Sequence, residues 1–595
     1  MPSDQSLTLT QRWARKNSFK FIAECILSYF QLDSGHRPSL IDVRIFNFEL
    51  KNPNLIIPLE TYAAPDPLIT EYSLFHAAVL STIKVIDNSE KEVSADWIMN
   101  QVPEVVCSKT AGILFGIGLK GKLGELKPFD YLEILGKNHS LTSSAVILGL
   151  ALAKRGSLDL ELCRLASVHL RDFEYSETGG DLSLELDVQV SAILAVGFLY
   201  QESISRGMSN YLMHQIGRMG QVTLKSRVYY TAAYSLAAGL SLGLVNLASG
   251  SQSGIGDSHL KRLLVAANEN LSEPESSRFT TPASLLALAL IFMKSGNEQI
   301  IESIRPSGAF RQYKPVHYAL RIICVSVVTM KPCIDIESVC ELIKNRSDIT
   351  YECYSVIAAA LFLGISNVGT RNKEIYFKLL RAYQSISKIK RVHEYSIDFI
   401  DCFRNAPLKL CADYLLLALS LVMAGSGDCT ILGMLRDWFG SPMDFSAGRG
   451  LIHFLSLGFL SIRGMVEDPT DSETMAMLIC TCFPVLPTSL DDQSSVPLCF
   501  RYFWALAFKP ISLQNDSEKP RRFREDVFIN DSGRKEYYRK KMAQYDYQQM
   551  DAWMISDFYS KLWSIYSDVP LTFHPSNVEY NMVETPDGLP WRNIL

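Results

Sequence analysis

The sequence predicts an all-α protein, an α-solenoid of stacked helix pairs. Two observations lead to this prediction: one class of helix is apolar on every side, and a glycine-containing turn follows such helices at a repeated spacing. Residues 142–170 show both features, with an apolar run through Ala153 and a turn at Gly156. Because a helix without a polar face has to be buried, each helix pair needs neighbours along a stack.

The unit within residues 142–170 is interpreted as helix, tight turn and helix. Gly149 costs about 1 kcal/mol of helix propensity relative to alanine, so a glycine at this place indicates that another backbone passes close by. Gly156 is expected to end the first helix. Ser157 is expected to cap the second helix, which ends near Leu170.

The same unit recurs along the chain, which predicts a repeat array. Similar apolar, small-residue stretches occupy residues 110–121, 188–200, 231–250, 282–296, 354–364, 411–427 and 450–464. The turn glycines are 35 residues apart at Gly121 and Gly156, and 39 residues apart at Gly425 and Gly464. A period of roughly 20–50 residues is typical of such arrays. Between residues 305 and 345 the sequence predicts only a proline-punctuated helical stretch.

Ten glycines are expected to have a structural role in this array, either in the turns or where helices touch. They are Gly121, Gly149, Gly156, Gly197, Gly239, Gly243, Gly296, Gly364, Gly425 and Gly464. The sequence assigns no catalytic, cofactor-binding or metal-binding residue.

The array divides the chain into three predicted parts. Residues 1–105 form an N-terminal flank, residues 106–510 the repeats, and residues 511–595 a divergent charged tail that is partly helical. Within the flank, helices are predicted at residues 9–30 and 74–84, and extended segments at residues 40–48 and 55–59. At the other end of the array, apolar helices are predicted at residues 474–483 and 498–508.

The bulk composition fits a folded intracellular protein. Hydrophobic residues make up 48% and charged residues 20%, and the net charge of −5 gives no nucleic-acid footprint. The 13 cysteines include no CxxC pair, which favours a reducing compartment. No signal peptide is expected, since the N-terminus lacks an apolar core. Clean apolar runs such as residues 415–424 span roughly 15 Å, about half of a bilayer's hydrocarbon core, so buried helices are favoured over membrane spans.

Two short patterns match nucleotide or nucleophile motifs and a third nearly matches one, and helix packing explains them better. Residues 116–121 match GxGxxG, but they lie late in an apolar helix rather than after a strand. The overlapping near-match to a phosphate-binding loop fails because Leu123 follows Lys122, where Ser or Thr is needed to hold magnesium. A GxSxG match surrounds Ser241, but it lies within a helix rather than at a strand-to-helix elbow.

The remaining polar residues give no convergent site. The ten histidines are scattered, and His76, His169 and His453 lie in apolar helical contexts that favour a structural role. The paired carboxylates at residues 491–492 lie in a polar loop and are expected to be solvated. Two basic clusters, residues 519–524 and 534–541, leave open a nuclear-import signal or an anion-binding surface, with a solvated charged surface favoured.

The small-residue helix followed by a glycine turn resembles the proteasome/cyclosome repeat. Such repeats occur in scaffold subunits of the proteasome regulatory particle and in the largest subunit of the anaphase-promoting complex. The second family is favoured by the similarity of six stretches that follow one another in order within residues 45–510. They are residues 139–159, 184–201, 216–218, 234–250, 281–297 and 417–428.

The resemblance implies that the repeats close into a toroid. It also implies a non-catalytic scaffold of a cell-cycle ubiquitin ligase, found in nucleus and cytoplasm, that holds a cullin–RING module near a coactivator and tetratricopeptide-repeat subunits. No cofactor, nucleic acid, membrane or small-molecule ligand is expected. Members of the family usually carry a β-propeller before the repeats, so this chain is expected to be a short form without it. A proteasomal scaffold is the alternative. An enzyme hidden in the array has only the misplaced GxSxG match in its favour.

Overall fold

The computed structural model of the chain describes most of the predicted repeat array. The described residues are 74–76, 78–79, 81–83, 85–86, 93–170, 185–216, 227–268, 280–306, 313–345, 349–394, 399–439, 447–462, 464–484 and 498–510. The chain forms two compact units. The first comprises residues 1–428 and 445–509, and the second comprises residues 429–444 and 510–595.

Almost all of the regular structure is helical. In chain order the helices are α1 Ala95–Met99, α2 Ser108–Leu119, α3 Pro128–Leu135, α4 Ser140–Ala153, α5 Leu160–Val168, α6 Leu186–Leu199, α7 Arg206–Gln215, α8 Arg227–Val245, α9 Asp257–Ala267, α10 Thr280–Ile291, α11 Glu298–Ile304, α12 Pro315–Thr329, α13 Ile336–Asn345, α14 Thr350–Ser366, α15 Lys373–Glu394, α16 Phe399–Val422, α17 Cys429–Phe439, α18 Ala447–Ser461, α19 Ser472–Thr481 and α20 Trp504–Ala507. Short 3-10 helices occupy Leu123–Glu125, Gly250–Gln252 and Leu498–Tyr502, and one two-stranded sheet pairs β1 Gly464–Met465 with β2 Lys509–Pro510.

Nine of these helices form the continuous core of the first unit. We call them the core helices: α2, α4, α6, α8, α10, α12, α14, α16 and α18. Each packs against the next one in the chain. In α4 every residue from Thr142 to Leu152 is buried, as expected for a helix without a polar face. The predicted all-α repeat solenoid is therefore confirmed.

A second set of helices alternates with the core helices and packs against them. We call α3, α5, α7, α9, α11, α13 and α15 the flanking helices. They are amphipathic: α5, for example, buries Leu162 and Ala166 and leaves Leu160, Arg164 and Val168 exposed. A flanking helix has one neighbour layer and solvent on its other face, which explains this pattern.

The start of α5 differs from the sequence-based expectation. Ser157 does not cap this helix. The cap is Asp159, whose carboxylate accepts hydrogen bonds from the amides of Glu161 and Leu162 at 3.0 and 3.1 Å. The turn needs two residues more than expected because Leu158 also adopts a left-handed conformation, with φ of 57°.

One core helix was missed by the sequence analysis. The stretch interpreted only as proline-punctuated contains α12, with Ala319 to Val328 fully buried. It has no glycine, and the residue after it, Met330, supplies the left-handed turn conformation with φ of 53°. The repeat is present here without the glycine signal that marks it elsewhere.

The end of the array returns to its beginning within the first unit. The Tyr502 ring stacks on the His76 ring at 5.7 Å and meets the Phe115 ring of α2 edge-on at 5.8 Å. The next residue, Phe503, meets Phe198 of α6 at 5.3 Å. An open stack keeps its two ends apart, so these contacts agree with the closed arrangement that the resemblance implies.

The segment that makes these contacts is less regular than predicted. Residues 498–508 form a 3-10 helix and the four-residue α20 instead of one α-helix. An ion pair between Arg155, in the turn after α4, and Glu473 at the start of α19 also joins the end of the array to an early repeat. Where the 3-10 helix ends, two successive aromatic residues face different core helices, since Tyr502 contacts α2 and Phe503 contacts α6.

Several predictions fall outside the described residues. They are the elements at residues 9–30, 40–48 and 55–59, the carboxylates at 491–492, both basic clusters and the tail. The described residues between 74 and 84 are helical, as predicted. The boundaries at residues 106 and 510 stay predictions. No described helix is long and apolar enough to cross a membrane.

Candidate functional site

Backbone hydrogen bonds join successive repeats at the turns that follow core helices. After α4, the amides of Gly156 and Leu158 donate to the carbonyls of Phe198 and Leu199 at 2.9 and 3.1 Å. Those carbonyls are at the end of α6, the next core helix. The last carbonyls of a helix have no partner within that helix, so the preceding turn supplies their donors. We call this arrangement a turn link.

The turn link recurs along the stack with the same geometry. Two donors separated by one residue bind two consecutive carbonyls among the last three residues of the next core helix in five turns, and a single donor binds one such carbonyl in a sixth. Beyond the first turn, the pairs are Glu202–Leu244 (2.9 Å) and Ile204–Val245 (3.0 Å), Lys294–Val327 (3.2 Å) and Gly296–Val328 (3.0 Å), Gly369–Leu421 (2.9 Å) and Arg371–Val422 (3.0 Å), Gly425–Phe459 (3.0 Å) and Gly427–Leu460 (3.1 Å), and the single Ala248–Leu290 (2.9 Å).

All of these donors have left-handed backbone conformations. Their φ values range from 52° at Ile204 and Ala248 to 68° at Gly369 and Gly425. Glycine adopts this conformation without steric cost, whereas other residues pay about 1–2 kcal/mol. Glycine therefore adopts the conformation of a link donor at lower energy than other residues, which explains Gly156, Gly296 and Gly425 in the predicted turns.

A second group of glycines lies where core helices touch. A Cβ on Gly118 of α2 would lie 2.4 Å from the Cα of Gly149 in α4, and one on Gly149 would lie 3.2 Å from the Cα of Gly118. The two backbones are thus in direct contact. A Cβ would also collide at Gly197 (Ser241, 2.5 Å), Gly239 (Ala283, 2.4 Å), Gly243 (Leu290, 2.6 Å) and Gly364 (Ala418, 2.9 Å).

The other predicted structural glycines lie in turns or in the short sheet. Gly121, Gly156, Gly296 and Gly425 have φ values of 67°, 66°, 60° and 68°. Gly464 lies in β1, where a Cβ would be 3.0 Å from the Cβ of Phe508. The ten glycines thus occupy left-handed turns and tight contacts.

The motif-like patterns serve helix packing. In the GxGxxG stretch, a Cβ on Gly116 would lie 2.8 Å from the Cβ of Thr82. The glycine therefore lets α2 pack closely against the helical residues near position 82. In the GxSxG stretch, Ser241 is buried in α8, and its hydroxyl donates to the carbonyl of Ile193 at 2.9 Å. Its Cβ also fills the space above Gly197. The packing interpretation of both patterns is therefore confirmed.

The histidines singled out by the sequence lie in helix contacts. His76 is buried, and its Nδ1 is hydrogen-bonded to the hydroxyl of Tyr502. Burial lowers the pKa of His76 to about 3, so the ring is neutral and can accept from that hydroxyl. His453 of α18 lies 3.2 Å from the carboxylate of Asp413 in α16, with both side chains buried. His169 is half-buried, and desolvation lowers its pKa.

Two buried arginines were missed by the sequence analysis. Arg321 of α12 donates to the carbonyl of Ala267 and, at 3.2 Å, to that of Ile304, the last residues of α9 and α11. Its guanidinium lies 4.2 Å from the centre of the Tyr313 ring. A helix C-terminus carries roughly half a negative charge, so the C-termini of α9 and α11 together compensate the positive charge of the Arg321 guanidinium. A cation inside an otherwise apolar run was the available signal.

The second buried arginine has the same role at the end of the array. Arg501 donates to the carbonyls of Thr481 and Phe483 at 2.6 and 3.2 Å, just at and beyond the end of α19. It thus caps this helix with a positive charge, which the helix dipole favours. This contact fixes the 3-10 helix that carries Tyr502 against α19.

The described cysteines are free thiols, and several of them are buried. Burial raises the pKa of both Cys324 and Cys482 to about 12. A thiol of that pKa is protonated at neutral pH and is a poor nucleophile or metal ligand. Among the residues that the structure describes, no three His, Cys, Asp or Glu side chains are grouped as a metal site would require.

Comparison with known families accounts for nearly the whole described array. Residues 160–509 match the profile of the APC1 fifth domain, and residues 34–155 match that of the APC1 fourth domain. The chain belongs to the APC1 family. The two matches follow each other directly, and their junction falls in the turn link between α4 and α5.

Several curated relatives align with about three quarters or more of the chain. Anaphase-promoting complex subunit 1 of Schizosaccharomyces pombe is 27% identical over 80% of this chain and 34% of its own length. The human protein of that name is 26% identical over 78% of the chain and 26% of its own length. The negative regulator of mitosis of Emericella nidulans is 27% identical over 76% and 23%. The chain thus spans about a quarter to a third of these relatives.

Proposed function

We propose that the chain is a non-catalytic scaffold of an anaphase-promoting complex, a ubiquitin ligase of the cell cycle. The observation that carries this proposal is the match of residues 34–155 and 160–509 to two consecutive APC1 domains. In this role it holds a cullin–RING module near a coactivator and tetratricopeptide-repeat subunits, in nucleus and cytoplasm. The chemistry of ubiquitin transfer belongs to the other subunits.

The turn links support a scaffold role on physical grounds. Each link fixes two adjacent repeats through backbone atoms, so the relative position of their loops does not depend on side-chain packing alone. The contacts of Tyr502 and Phe503 join the end of the array to early core helices. A stack held in this way keeps surfaces on distant repeats at fixed separations, which is the property that a scaffold requires.

The experiment is affinity purification of the tagged chain from its own cells, followed by mass spectrometry. Co-purification of a cullin, a RING subunit and tetratricopeptide-repeat subunits in similar amounts is the expected result. An equally expressed, tagged intracellular protein without repeats is the control for non-specific recovery. Recovery of the proteasomal ATPases instead would replace the proposal by the proteasomal alternative, and recovery of neither set would contradict both.

A further inference from the structure

The junction between the core helices α12 and α14 lacks the turn link that joins its neighbours. In the part of the chain that the structure describes, no backbone hydrogen bond connects the turn after α12 with the end of α14. Links join the core helices from α4 to α12, which we call the first block. Links also join α14, α16 and α18, which we call the second block. The two blocks meet at the unlinked junction.

The regular spacing of the links shows which residues of this turn are expected to be donors. In linked core helices the first donor lies four residues after the first carbonyl that the preceding turn binds, as Glu202 does after Phe198. In α12 that carbonyl belongs to Val327. The expected donors after α12 are therefore Lys331 and Cys333, and neither has a positive φ.

A proline explains why this turn does not form a link. The residue between the two donor positions carries a hydroxyl in all six linked turns: Ser157, Ser203, Ser249, Ser295, Thr370 and Ser426. After α12 it is Pro332. A residue that precedes proline is driven to extended conformations. Lys331 is thereby kept out of the left-handed conformation that every link donor has.

The amides at the two donor positions bind hydroxyl groups of their own helix instead. The amide of Lys331 donates to the hydroxyl of Thr329 at 3.3 Å, and the amide of Cys333 donates to the hydroxyl of Ser326 at 3.0 Å. Both acceptors are residues of α12. The turn thus satisfies its polar groups without α14, and backbone hydrogen bonds do not fix the distance between the turn and the end of that helix.

Tyrosine contacts hold the opposite ends of α12 and α14 together. The rings of Tyr318 and Tyr351, in the first turns of the two helices, meet edge-on at 5.5 Å. The hydroxyl of Tyr351 donates to the carbonyl of Tyr313 at 2.8 Å, and that of Ser355 donates to the hydroxyl of Tyr318 at 3.3 Å. The junction is therefore held at the N-terminal ends of the two helices and unlinked at their C-terminal ends.

The other unlinked junction, between α2 and α4, is tightly packed at its C-terminal end. The backbones touch where a Cβ on Gly118 would lie 2.4 Å from the Cα of Gly149. In the turn after α2, a Cβ on Gly124 would lie 3.3 Å from the Cβ of Ala153, the last residue of α4. Direct packing thus replaces the link there. No glycine in α12 allows such an approach to α14.

We propose that the α12–α14 junction is a hinge of the repeat array. The two blocks rotate relative to each other about the tyrosine contacts, and the C-terminal end of the junction opens and closes. Residues 330–334 absorb the change in backbone angles, since a few loop residues are sufficient for a hinge. The contacts of Tyr502 and Phe503 with α2 and α6 limit the range of this rotation. The inference does not rest on the proposed function.

The test measures distances across the hinge with spin labels in the purified full chain. Nitroxides are attached to genetically encoded p-acetylphenylalanine, which leaves the native thiols unlabelled, and double electron–electron resonance gives the distance distribution. The hinge pair is Ser295 and Thr370, in the turns after α10 and α14. The control pair is Ser203 and Ser295, also two repeats apart but within the first block. The distribution of the hinge pair should be about twofold wider.

A grafted turn tests whether the missing link is the cause of the movement. The triple variant Lys331→Gly/Pro332→Ser/Cys333→Gly gives the turn the sequence of residues 425–427, which form a complete link. In this variant the distribution of the hinge pair should narrow to the width of the control pair. The matched variant Lys331→Ala keeps Pro332 and should leave the width of the hinge pair unchanged.

Two results would overturn the proposal. Equal widths of the hinge pair and the control pair in the chain with its native turn would show that the blocks do not rotate, and this comparison does not require the grafted variant to fold. An unchanged width in a grafted variant with a native circular dichroism spectrum would show that the missing link does not release the junction.

Discussion

At the scale of single residues, left-handed conformations and tight contacts explain which turn glycines the fold needs and how strongly. A turn glycine can be required by its left-handed conformation alone, as at Gly121, where a Cβ would meet nothing within 4 Å. Gly425 is required twice, since its φ is 68° and a Cβ would lie 2.5 Å from the carbonyl oxygen of Ile462. The two positions therefore differ in cost although the sequence around both shows a glycine turn.

Substitution of Gly425 by alanine should destabilise the chain. The left-handed conformation costs about 1–2 kcal/mol for a residue with a Cβ, and the collision with Ile462 adds to it. We expect Gly425→Ala to lower the free energy of unfolding by about 2 kcal/mol or more, measured by chemical denaturation of the purified chain.

Gly207 provides the matched control for this substitution. It lies in α7 with ordinary helical geometry, and a Cβ there would meet nothing within 4 Å. Gly207→Ala should leave stability unchanged or raise it by up to about 1 kcal/mol. Equal effects of the two variants would mean that Gly425 is not held in the left-handed link.

The sequence identifies turn residues only where glycine marks them. Gly156, Gly296 and Gly425 were recognisable because glycine favours the conformation that the link demands. Leu158 and Ile204 adopt the same conformation, yet their side chains carry no signal of it, since leucine and isoleucine are usually found in helices and strands. Tertiary hydrogen bonds impose the conformation at these two positions, and a single sequence does not show tertiary hydrogen bonds.

At the scale of elements, the all-round apolar helices were predictable because burial on every side leaves no polar stripe. Seven core helices besides α4 and α12 match the recurring apolar stretches. The missed helix, α12, lacks glycine and contains the buried Arg321. That cation is tolerated because two flanking-helix ends receive it, a compensation that comes from other parts of the chain.

The contact between α2 and α4 gives a prediction at this scale. Gly149→Leu inserts a large side chain where the Cα of Gly118 and the side chain of Leu123 already lie within about 3 Å of a Cβ. Overpacking of this kind typically costs about 1–3 kcal/mol. Thermal unfolding of the full chain should show a lower midpoint, while Gly207→Leu, at an open helical position, serves as the control. An unchanged midpoint for Gly149→Leu would contradict the backbone contact.

At the scale of the whole first unit, its closure depends on contacts that are remote in sequence. His76 and Tyr502 are separated by 426 positions, and each lies in a stretch that the sequence shows only as apolar. Neither stretch contains a sequence signal that predicts its contact with the other stretch. A closed arrangement is therefore an expectation of the family resemblance and not of the periodicity, which indicates only a stack.

The buried His76 should make stability depend on pH. Its pKa is lowered to about 3 in the folded chain by burial, against about 6.5 when unfolded. Between these values the unfolded chain binds more protons, so stability is full above pH 6.5 and falls as the pH decreases. His76 alone contributes up to about 1.4 kcal/mol per pH unit in this range.

The contribution of His76 is measured as a difference between two proteins. Denaturation of wild type and His76→Gln between pH 7.5 and 5.5 should show a shallower pH dependence for the variant. His317, whose pKa is lowered to about 4 mainly by burial, remains in both proteins and cancels in the comparison. Identical slopes would mean that His76 is solvated and that the contact with Tyr502 does not close the unit.

The most direct test of the account is hydrogen exchange of the turn-link amides in the purified full chain, resolved to single residues. Gly156, Glu202 and Gly369 are exposed turn residues. We nevertheless expect their amide hydrogens to exchange slowly, because each amide donates a hydrogen bond to a carbonyl of the next core helix. The exposed loop residues Glu104 and Val105 should exchange fast and provide the reference. Exchange of the link amides at that same fast rate would contradict a stack joined through its turns.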